Sequence, residues 1–340
     1  MSSTFAFPSP VGGVSLPSDF APSVVFAVMY GLLMPIFIRR ISNSESRAVL
    51  SISSIVSTTE RIAIFSLRSM QSHDDAKRMQ HGLLAYVQAT FGVAFIGSAM
   101  DVVVLARCLL VNSTKGPIAP DSPRNYPSAS PFSTETPPSS TFQLVDGGVP
   151  VDQPRKRRFY RRFTDIWKLI FLTATIPGII AGLRYPSGIT DPATADYIMT
   201  LRYVSSGLAL LYIIFSAGVV AWIASKIPGT RRSQIIYLFA ILACNASTAI
   251  YRLAFMYSRT TSLTSTAPGS GNTATEKATF YIFHILSDWG ACALLLVPNV
   301  RQWFNTGLLG DYRSSDPPRR EPRWAERQEL AKARKDGTVV

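Results

Sequence analysis

Long, continuous blocks of apolar residues separated by polar loops dominate this chain. A block of about 18 or more residues with few charges is long enough to cross the hydrocarbon core of a membrane as a helix. Within a membrane only helices and closed barrels satisfy their backbone hydrogen bonds, and these blocks are continuous rather than alternating. The low charged fraction of 16% agrees with this pattern. The sequence therefore predicts an all-α, polytopic membrane protein.

Seven apolar blocks can be distinguished, and they predict a seven-transmembrane-helix bundle. They cover residues 20–38, 48–67, 83–111, 166–185, 203–225, 235–257 and 278–300. The second block is rich in Ser and Thr and carries two charges, and the fourth contains Pro177 and Gly178, so these two are the weaker candidates. If one of them did not cross, the count would be six and the carboxyl-terminal tail would change sides.

The distribution of basic residues predicts the orientation. Most of the 34 Lys and Arg residues lie in the first, third and fifth loops and in the tail. Basic residues near span ends stay in the cytosol, which places the amino terminus outside and the carboxyl terminus in the cytosol. Residues 1–19 would then be extracellular and residues 301–340 a cytosolic tail. The first 19 residues lack a basic region, so we expect an uncleaved signal anchor.

Residues 112–162 are predicted to be a disordered cytosolic linker between helices 1–3, in 20–111, and helices 4–7, in 163–300. The first part is rich in Pro, Ser and Thr and cannot bury enough apolar surface to fold, and its Ser-Pro pairs are candidate sites for a cytosolic kinase. The linker ends in a basic run of Arg155, Lys156, Arg157, Arg158, Arg161 and Arg162. Such a run determines topology and can also contact anionic lipids. The net charge of +13 therefore requires no nucleic-acid partner.

The sixth loop and the carboxyl-terminal tail are two further polar segments. The sixth loop, 258–277, is rich in Ser, Thr and Gly and reads as a connector. The tail mixes charges of both signs, with a possible short helix over 324–335.

Seven polar or ionisable residues inside the predicted spans form the candidate site. A charge in hydrocarbon costs about 2.5–3.5 kcal/mol on insertion scales, so such a residue usually faces the bundle interior and has a partner. These residues are Glu60, Arg61, Asp101, Asn245, Arg252, His284 and Asp288. Glu60 and Asp288 are expected at similar depth in the outer half, balanced by Arg61 or Arg252. The set is interpreted either as structural pairing between helices or as a pocket for the head group of an amphiphile.

Catalytic chemistry has little support in the sequence, so neither an enzyme, a metal site nor a cofactor is expected. A metal-dependent hydrolase needs several His residues and an acid at convergent positions. The chain has only His73, His81 and His284, all predicted near the outer side. Its three cysteines lie inside apolar blocks, where free cysteines behave as small hydrophobic residues.

The end of the chain resembles the last helix of fungal seven-span membrane proteins. The segments that carry the resemblance are FYIFHILSDW at 280–289, PNVR at 298–301 and TGLLGDYR at 306–313. The family it most resembles is the lipid-translocating exporter family, known for aminocholesterol resistance. A Pro-Glu-Trp triplet typical of such proteins reads Ser287-Asp288-Trp289 here, which keeps the acid and loses the proline. The resemblance implies movement or sensing of sphingoid bases or sterol-like lipids at the plasma membrane.

Three functions follow as expectations, with membrane lipids and an amphiphilic ligand as partners. The first is a translocator of amphiphilic lipids. The second is a seven-span sensor that signals to a cytosolic partner, although the motifs of the best-known receptor class are missing: no acid precedes Arg107, and no tyrosine motif follows Pro298-Asn299. The third and least favoured is an intramembrane hydrolase.

Overall fold

A computed structural model of the chain describes residues 2–43, 46, 52–114, 153–227, 229–307 and 310–311. In this part of the chain, six helices are long and apolar enough to cross a membrane. They are Pro17–Ser42, His81–Asn112, Pro154–Leu183, Pro192–Lys226, Arg232–Phe255 and Ala274–Leu296. The prediction of a helical membrane protein is confirmed at this level, and the weak fourth block belongs to one of the six.

The individual elements subdivide several of these spans. The helices are α1 (Phe20–Gly31), α2 (Leu33–Ser42), α3 (Ile52–His73), α4 (Asp75–Arg78), α5 (His81–Asn112), α6 (Pro154–Ile170), α7 (Leu172–Leu183), α8 (Pro192–Lys226), α9 (Arg232–Phe255), α10 (Ala274–Thr279), α11 (Ser287–Leu296) and α12 (Val300–Trp303). A π-helical segment, Phe280–Leu286, joins α10 to α11. Two short strands, β1 (Ser2–Pro8) and β2 (Arg259–Ser262), pair antiparallel.

The second predicted span corresponds to α3, which is not among the six apolar helices. It is 22 residues long, but Glu60, Arg61 and Arg68 and many hydroxyl side chains reduce its hydropathy. It packs against α1, α5 and α11. By length and composition the structure therefore supports six spans, and α3 is not one of them.

The central element of the bundle is α5, which is buried along most of its length. A helix that is apolar on all sides belongs inside a bundle. On one side α7 approaches closely because it carries Gly178 and Gly182 four residues apart. Gly178 faces Gly92, and Gly182 faces Ala89. Small residues at this spacing let two helix backbones meet, which is a common way for membrane helices to associate.

One end of the bundle is closed by the amino terminus, which we call the plug (residues 2–16). Its strand β1 pairs with β2 in the sixth loop, so that Phe7 lies opposite Thr260. Phe7, Val11 and Val14 are buried. The predicted connector at 258–277 is therefore an ordered part of this end, because β2 pairs with the plug. We call this the plug end.

The opposite end of α5 is closed by the segment that follows α11. Asn112 donates a hydrogen bond to the Phe304 carbonyl at 2.9 Å. Arg107 pairs with Asp165 at 2.8 Å and with Asp311 at 3.1 Å, and Arg161 also binds Asp311. Because this end contains the basic start of α6, we call it the basic end.

The linker prediction needs one correction at this end. Helix α6 begins at Pro154, so the basic run at 155–162 is helical and continuous with the fourth span rather than part of a disordered linker. The remaining linker residues, 115–152, and the possible helix at 324–335 lie outside the described residues.

Candidate functional site

A buried ion pair joins α3 to α11 inside the bundle. Arg61 Nε lies 2.7 Å from Asp288 Oδ2, and both side chains are 1% exposed. The Tyr30 hydroxyl of α1 donates to the same carboxylate oxygen at 2.9 Å. Three helices are therefore held together around one carboxylate, and Arg61 supplies the balancing charge that the sequence predicts for Asp288.

Phe91 of α5 is the common neighbour of Arg61, Arg252 and His284. The Arg61 guanidinium lies 4.8 Å from the centre of its ring, within range of a cation–π interaction. The His284 ring lies 5.6 Å from it, and Arg252 Nη1 donates to the Phe91 carbonyl at 2.7 Å. Arg252 also donates to the Ser206 hydroxyl at 3.1 Å. Of the predicted network, Arg61 and Asp288 pair directly, while Arg252 and His284 join them through contacts with Phe91.

Glu60 does not join Asp288 in this interior layer, which corrects the expectation that both acids face it. Its side chain is half-buried and accepts a hydrogen bond from the Thr90 hydroxyl of α5 at 2.8 Å. Neighbouring residues on a helix point about 100° apart, so an Arg61 that faces Asp288 turns Glu60 toward the flank.

Asp101 and Asn245 lie in separate contacts between helices. The Ser54 hydroxyl of α3 donates to Asp101 Oδ2 at 2.7 Å, and the Ser98 hydroxyl of α5 donates to Asn245 Oδ1 at 2.5 Å. Both are polar bridges of the kind that hold membrane helices together. The structural interpretation fits these two residues.

Three buried cations at the plug end were missed by the sequence interpretation, and we call them the plug cations. Arg68 donates to the Gly12 carbonyl at 3.1 Å, Lys277 to the Val14 carbonyl at 2.5 Å, and Arg202 to the Ser9 carbonyl at 2.9 Å. In the sequence each lies beside an apolar block and reads as a loop charge. The helices extend past those blocks, so a search one or two turns beyond each block would have found them.

Neutral side chains also hold the plug. Gln88 of α5 bonds Val11 twice, accepting from its amide at 2.9 Å and donating to its carbonyl at 3.2 Å. The Tyr185 hydroxyl donates to the Pro8 carbonyl at 2.7 Å. Burial raises the pKa of Tyr185 well above its usual range, so the phenol keeps its proton and remains a donor.

Positive charge exceeds negative charge between the plug and the Arg61–Asp288 pair. Among the described residues, five cations and two carboxylates are at most 7% exposed there: Arg61, Arg68, Arg202, Arg252, Lys277, Asp19 and Asp288. Arg78, 8% exposed beside the plug, is paired with Asp75. We call these seven residues and His284 the buried cluster. Several of its nitrogens have no hydrogen-bond partner in the described part of the chain: Arg61 Nη1 and Nη2, and Arg68 Nε. The cluster therefore has unused capacity to bind an acceptor.

The basic run divides between solvent and protein. Four of its side chains are exposed at the start of α6 and are free to meet a lipid surface: Arg155, Lys156, Arg158 and Arg162. Arg157 is 2% exposed and donates to the Thr114 hydroxyl at 3.3 Å, and Arg161 binds Asp311. The expectation of lipid contact is wrong for Arg157, because its position on α6 faces α5.

No metal site is formed by the residues that the structure describes, since no group of three or more His, Cys, Asp or Glu side chains is suitably placed. His73 is exposed and packs edge-on against Phe20, with ring centres 4.7 Å apart. His284 is fully buried.

Comparisons with family models, with curated proteins and with solved structures found no match for this chain. The resemblance to the lipid-translocating exporter family therefore stays a prediction.

Proposed function

We propose that the chain is a seven-span membrane protein, with its amino terminus outside, that carries an amphiphilic lipid across the membrane. The head group of the lipid would bind in the buried cluster. The observation that carries this proposal is a charged layer inside an apolar bundle, around Phe91, with both ends of the bundle closed by polar contacts. A carrier caught between its two open states has this arrangement.

The length and position of α3 support it as a seventh span. Its 22 residues correspond to about 33 Å, close to the thickness of the hydrocarbon core. Ser54 near its start contacts Asp101, and Arg68 near its end contacts the plug. Its charges point at protein partners, so a low hydropathy is compatible with crossing a membrane.

The last span contains a π-helical segment beside the cluster, as expected for a transport site. The π-helical segment Phe280–Leu286 contains His284 and ends two residues before Asp288. Single π-helical turns are frequent at functional sites, and carriers often place their substrate beside helices with an irregular backbone. A helix that is already irregular can change its pairing without breaking a continuous ladder of hydrogen bonds.

An amphiphile is favoured over a small ion by the aromatic side chains around the charges. Phe91 and Phe280 are in edge contact, with centres 5.3 Å apart, and Phe65 lies 6.3 Å from Phe91. Phe26 stacks on Tyr281 at 5.6 Å. These rings place apolar side chains next to the cationic nitrogens, which suits a molecule with one charged end and one apolar end.

A sensor is the second candidate, and one observation favours it. The last span links the two closures: Lys277 binds the plug, and the segment that follows α11 closes the other end, where the Phe304 carbonyl accepts from Asn112. A ligand that moved the plug would act on a helix that leads directly to the basic end, where a cytosolic partner would bind.

The proposal is tested by measuring lipid translocation in liposomes. The purified full-length chain is reconstituted with amphiphiles that carry a dithionite-sensitive fluorophore, one each with a cationic, a neutral and an anionic head group. Dithionite destroys only the fluorophores in the outer leaflet, so translocation appears as a further loss of signal. We expect the wild-type chain to translocate at least one of the three.

The double substitution Arg61→Met with Asp288→Leu removes the central charges while keeping apolar volume, and it should abolish translocation. The matched control is Asp196→Asn, which alters an exposed acid at the plug end that pairs with exposed Arg259. Translocation by the double variant at the wild-type rate would contradict the proposal. Binding without translocation of any amphiphile would favour the sensor.

A further inference from the structure

The plug cations bind backbone carbonyls that belong to the chain's own amino terminus. Arg68 donates to Gly12 and Gly13, Lys277 to Gly12 and Val14, and Arg202 to Ser9. Carbonyl oxygens carry no net charge, so they satisfy hydrogen bonds without neutralising these cations. The plug therefore occupies the position of an acceptor ligand without supplying its charge.

Carboxylates near the plug cations are too few to balance them. Asp19 lies 2.5 Å from Lys277 Nζ and 3.7 Å from Arg68 Nη2, so one acid is shared by two cations. Within the described ranges no acid pairs with Arg202, whose other partner is the side-chain oxygen Gln88 Oε1 at 3.0 Å. Arg68 Nε is buried and has no hydrogen-bond partner there. An anion at this position would gain both charge and hydrogen bonds.

A small cavity lies between the plug and these side chains. Plug residues 13–15 form one wall, and the polar side chains on the other walls are Arg68, Gln71, Arg78 and Gln88. It has room for about one water molecule, so a larger ligand requires the plug to move. Of the three plug cations, Arg68 reaches this pocket, while Lys277 and Arg202 bind the plug from outside it.

From these contacts we propose that the plug cations form a binding site for an oxyanion, a phosphate or carboxylate group, and that the plug competes with this ligand for the same donors. The inference rests on the proposed function, since it names the chemical class of the head group. Hydrogen bonds from a cation to an anionic oxygen are about twice as strong as those to a neutral one, and an arginine fork can bind two oxygens at once. An amphiphile whose only charge is an amine is repelled by the same cluster.

The competition can be measured by hydrogen exchange of the plug in the full-length chain. The chain is placed in phosphatidylcholine nanodiscs, with or without phosphatidic acid, and separately with inorganic phosphate or with chloride at equal ionic strength. The readout is the exchange rate of the amides at 9–14, where Ser9, Val11, Gly13 and Val14 donate hydrogen bonds. We expect phosphate-bearing ligands to accelerate this exchange by about tenfold or more.

The two arms separate the sources of the oxyanion. Acceleration by phosphatidic acid alone indicates a lipid head group, and acceleration by inorganic phosphate alone indicates a soluble anion. Both results support the oxyanion site. Unchanged exchange in both arms would overturn it.

Substitutions then tie the response to the plug cations. Lys277→Gln should lower the apparent affinity with which phosphate-bearing ligands accelerate plug exchange by about tenfold to a hundredfold, as expected for the loss of a charge-assisted hydrogen bond. Lys277→Arg should retain this affinity. The matched control is Arg184→Gln, an exposed cation at the same end whose side chain lies over Tyr197. If Arg184→Gln and Lys277→Gln lose the response equally, the effect is surface electrostatics and the inference fails. The wild-type measurement stands even if Lys277→Gln does not fold.

Translocation of the three fluorescent amphiphiles separates this inference from the proposed function. If the cationic and anionic forms cross equally well, the carrier stands and the oxyanion site falls. If an oxyanion releases the plug while no amphiphile crosses, the site stands and belongs to a sensor.

Discussion

The ion pair between Arg61 and Asp288 bears on both the stability of the bundle and the proposed ligand site. Removing two charges from water costs several kcal/mol per ion, and a buried pair repays this only with good geometry and further hydrogen bonds. Here Tyr30 supplies one such bond, but two nitrogens of Arg61 and one oxygen of Asp288 have no partner among the described residues. An ion pair that served packing alone would have more of its hydrogen-bonding groups paired. The unpaired donors and acceptor are therefore consistent with a ligand site.

Substitution of the pair separates these two roles. Asp288→Asn leaves a buried, unpaired guanidinium and should lower the free energy of unfolding by about 3–5 kcal/mol. The double substitution Arg61→Met with Asp288→Leu should recover most of that loss, because no charge remains buried. Denaturant unfolding in detergent measures both. Full recovery of translocation together with stability in the double variant would show that the pair is only structural.

The conformation of the plug depends on two adjacent glycines. Gly12 and Gly13 have φ angles of +74° and +60°, a region that other residues enter at a cost. A Cβ on Gly12 would also meet the ring of Phe280. Two adjacent glycines therefore let the chain turn under the bundle end and present its carbonyls to the cations.

Alanine at Gly12 should loosen the plug without unfolding the bundle. The left-handed conformation costs an L-residue about 1–2 kcal/mol, which corresponds to about fivefold to thirtyfold faster opening. Hydrogen exchange of the amides at 9–14 measures this. Gly82→Ala is the matched control, because a Cβ at Gly82 meets no atom within 4 Å, and its exchange at the plug should not change. Equal rates in the two variants would contradict a constrained plug.

Helices were easier to predict from this sequence than the site they enclose. Continuous apolar blocks locate the spans because lipid requires them, although the block ends fall short wherever a helix continues with polar residues. Arg68 and Arg202 lie in such extensions and so read as loop charges. Pairing of the plug with β2 joins residues more than 250 positions apart, and no local pattern encodes it. Glu60 and Arg61 lie at nearly the same depth but point in different directions around α3. An estimate of depth alone does not reveal this difference.

The whole molecule is organised as a bundle with two different closures. The plug end is held by cations on carbonyls, and the basic end by Arg107 and Arg161 on Asp311. The last span binds the plug through Lys277 and continues into the segment that closes the basic end, so it connects the two closures. Exposed apolar side chains such as Leu211 and Ile214 cover the outside of α8, as expected for a surface that faces lipid.

The orientation of this bundle is tested with introduced cysteines and a membrane-impermeant thiol reagent. Ala193→Cys, in an exposed position at the plug end, should react on intact cells, and Ser128→Cys in the third loop only after permeabilisation. The native cysteines give a low background, because Cys108 and Cys292 are buried and Cys244 is half-buried. Asn112 should also carry no glycan. The reverse labelling pattern, or a glycan on Asn112, would invert the topology.

Photochemical labelling of the buried cluster tests most directly whether an amphiphile binds there. The full-length chain in liposomes is irradiated with a fatty acid that carries a diazirine near its carboxylate, and the labelled peptides are identified by mass spectrometry. The account predicts labels near Phe91 and in the segment that contains His284, with loss of both in the Arg61→Met, Asp288→Leu variant. Labels confined to lipid-facing positions such as Leu211 and Ile214, equal in the two proteins, would contradict it.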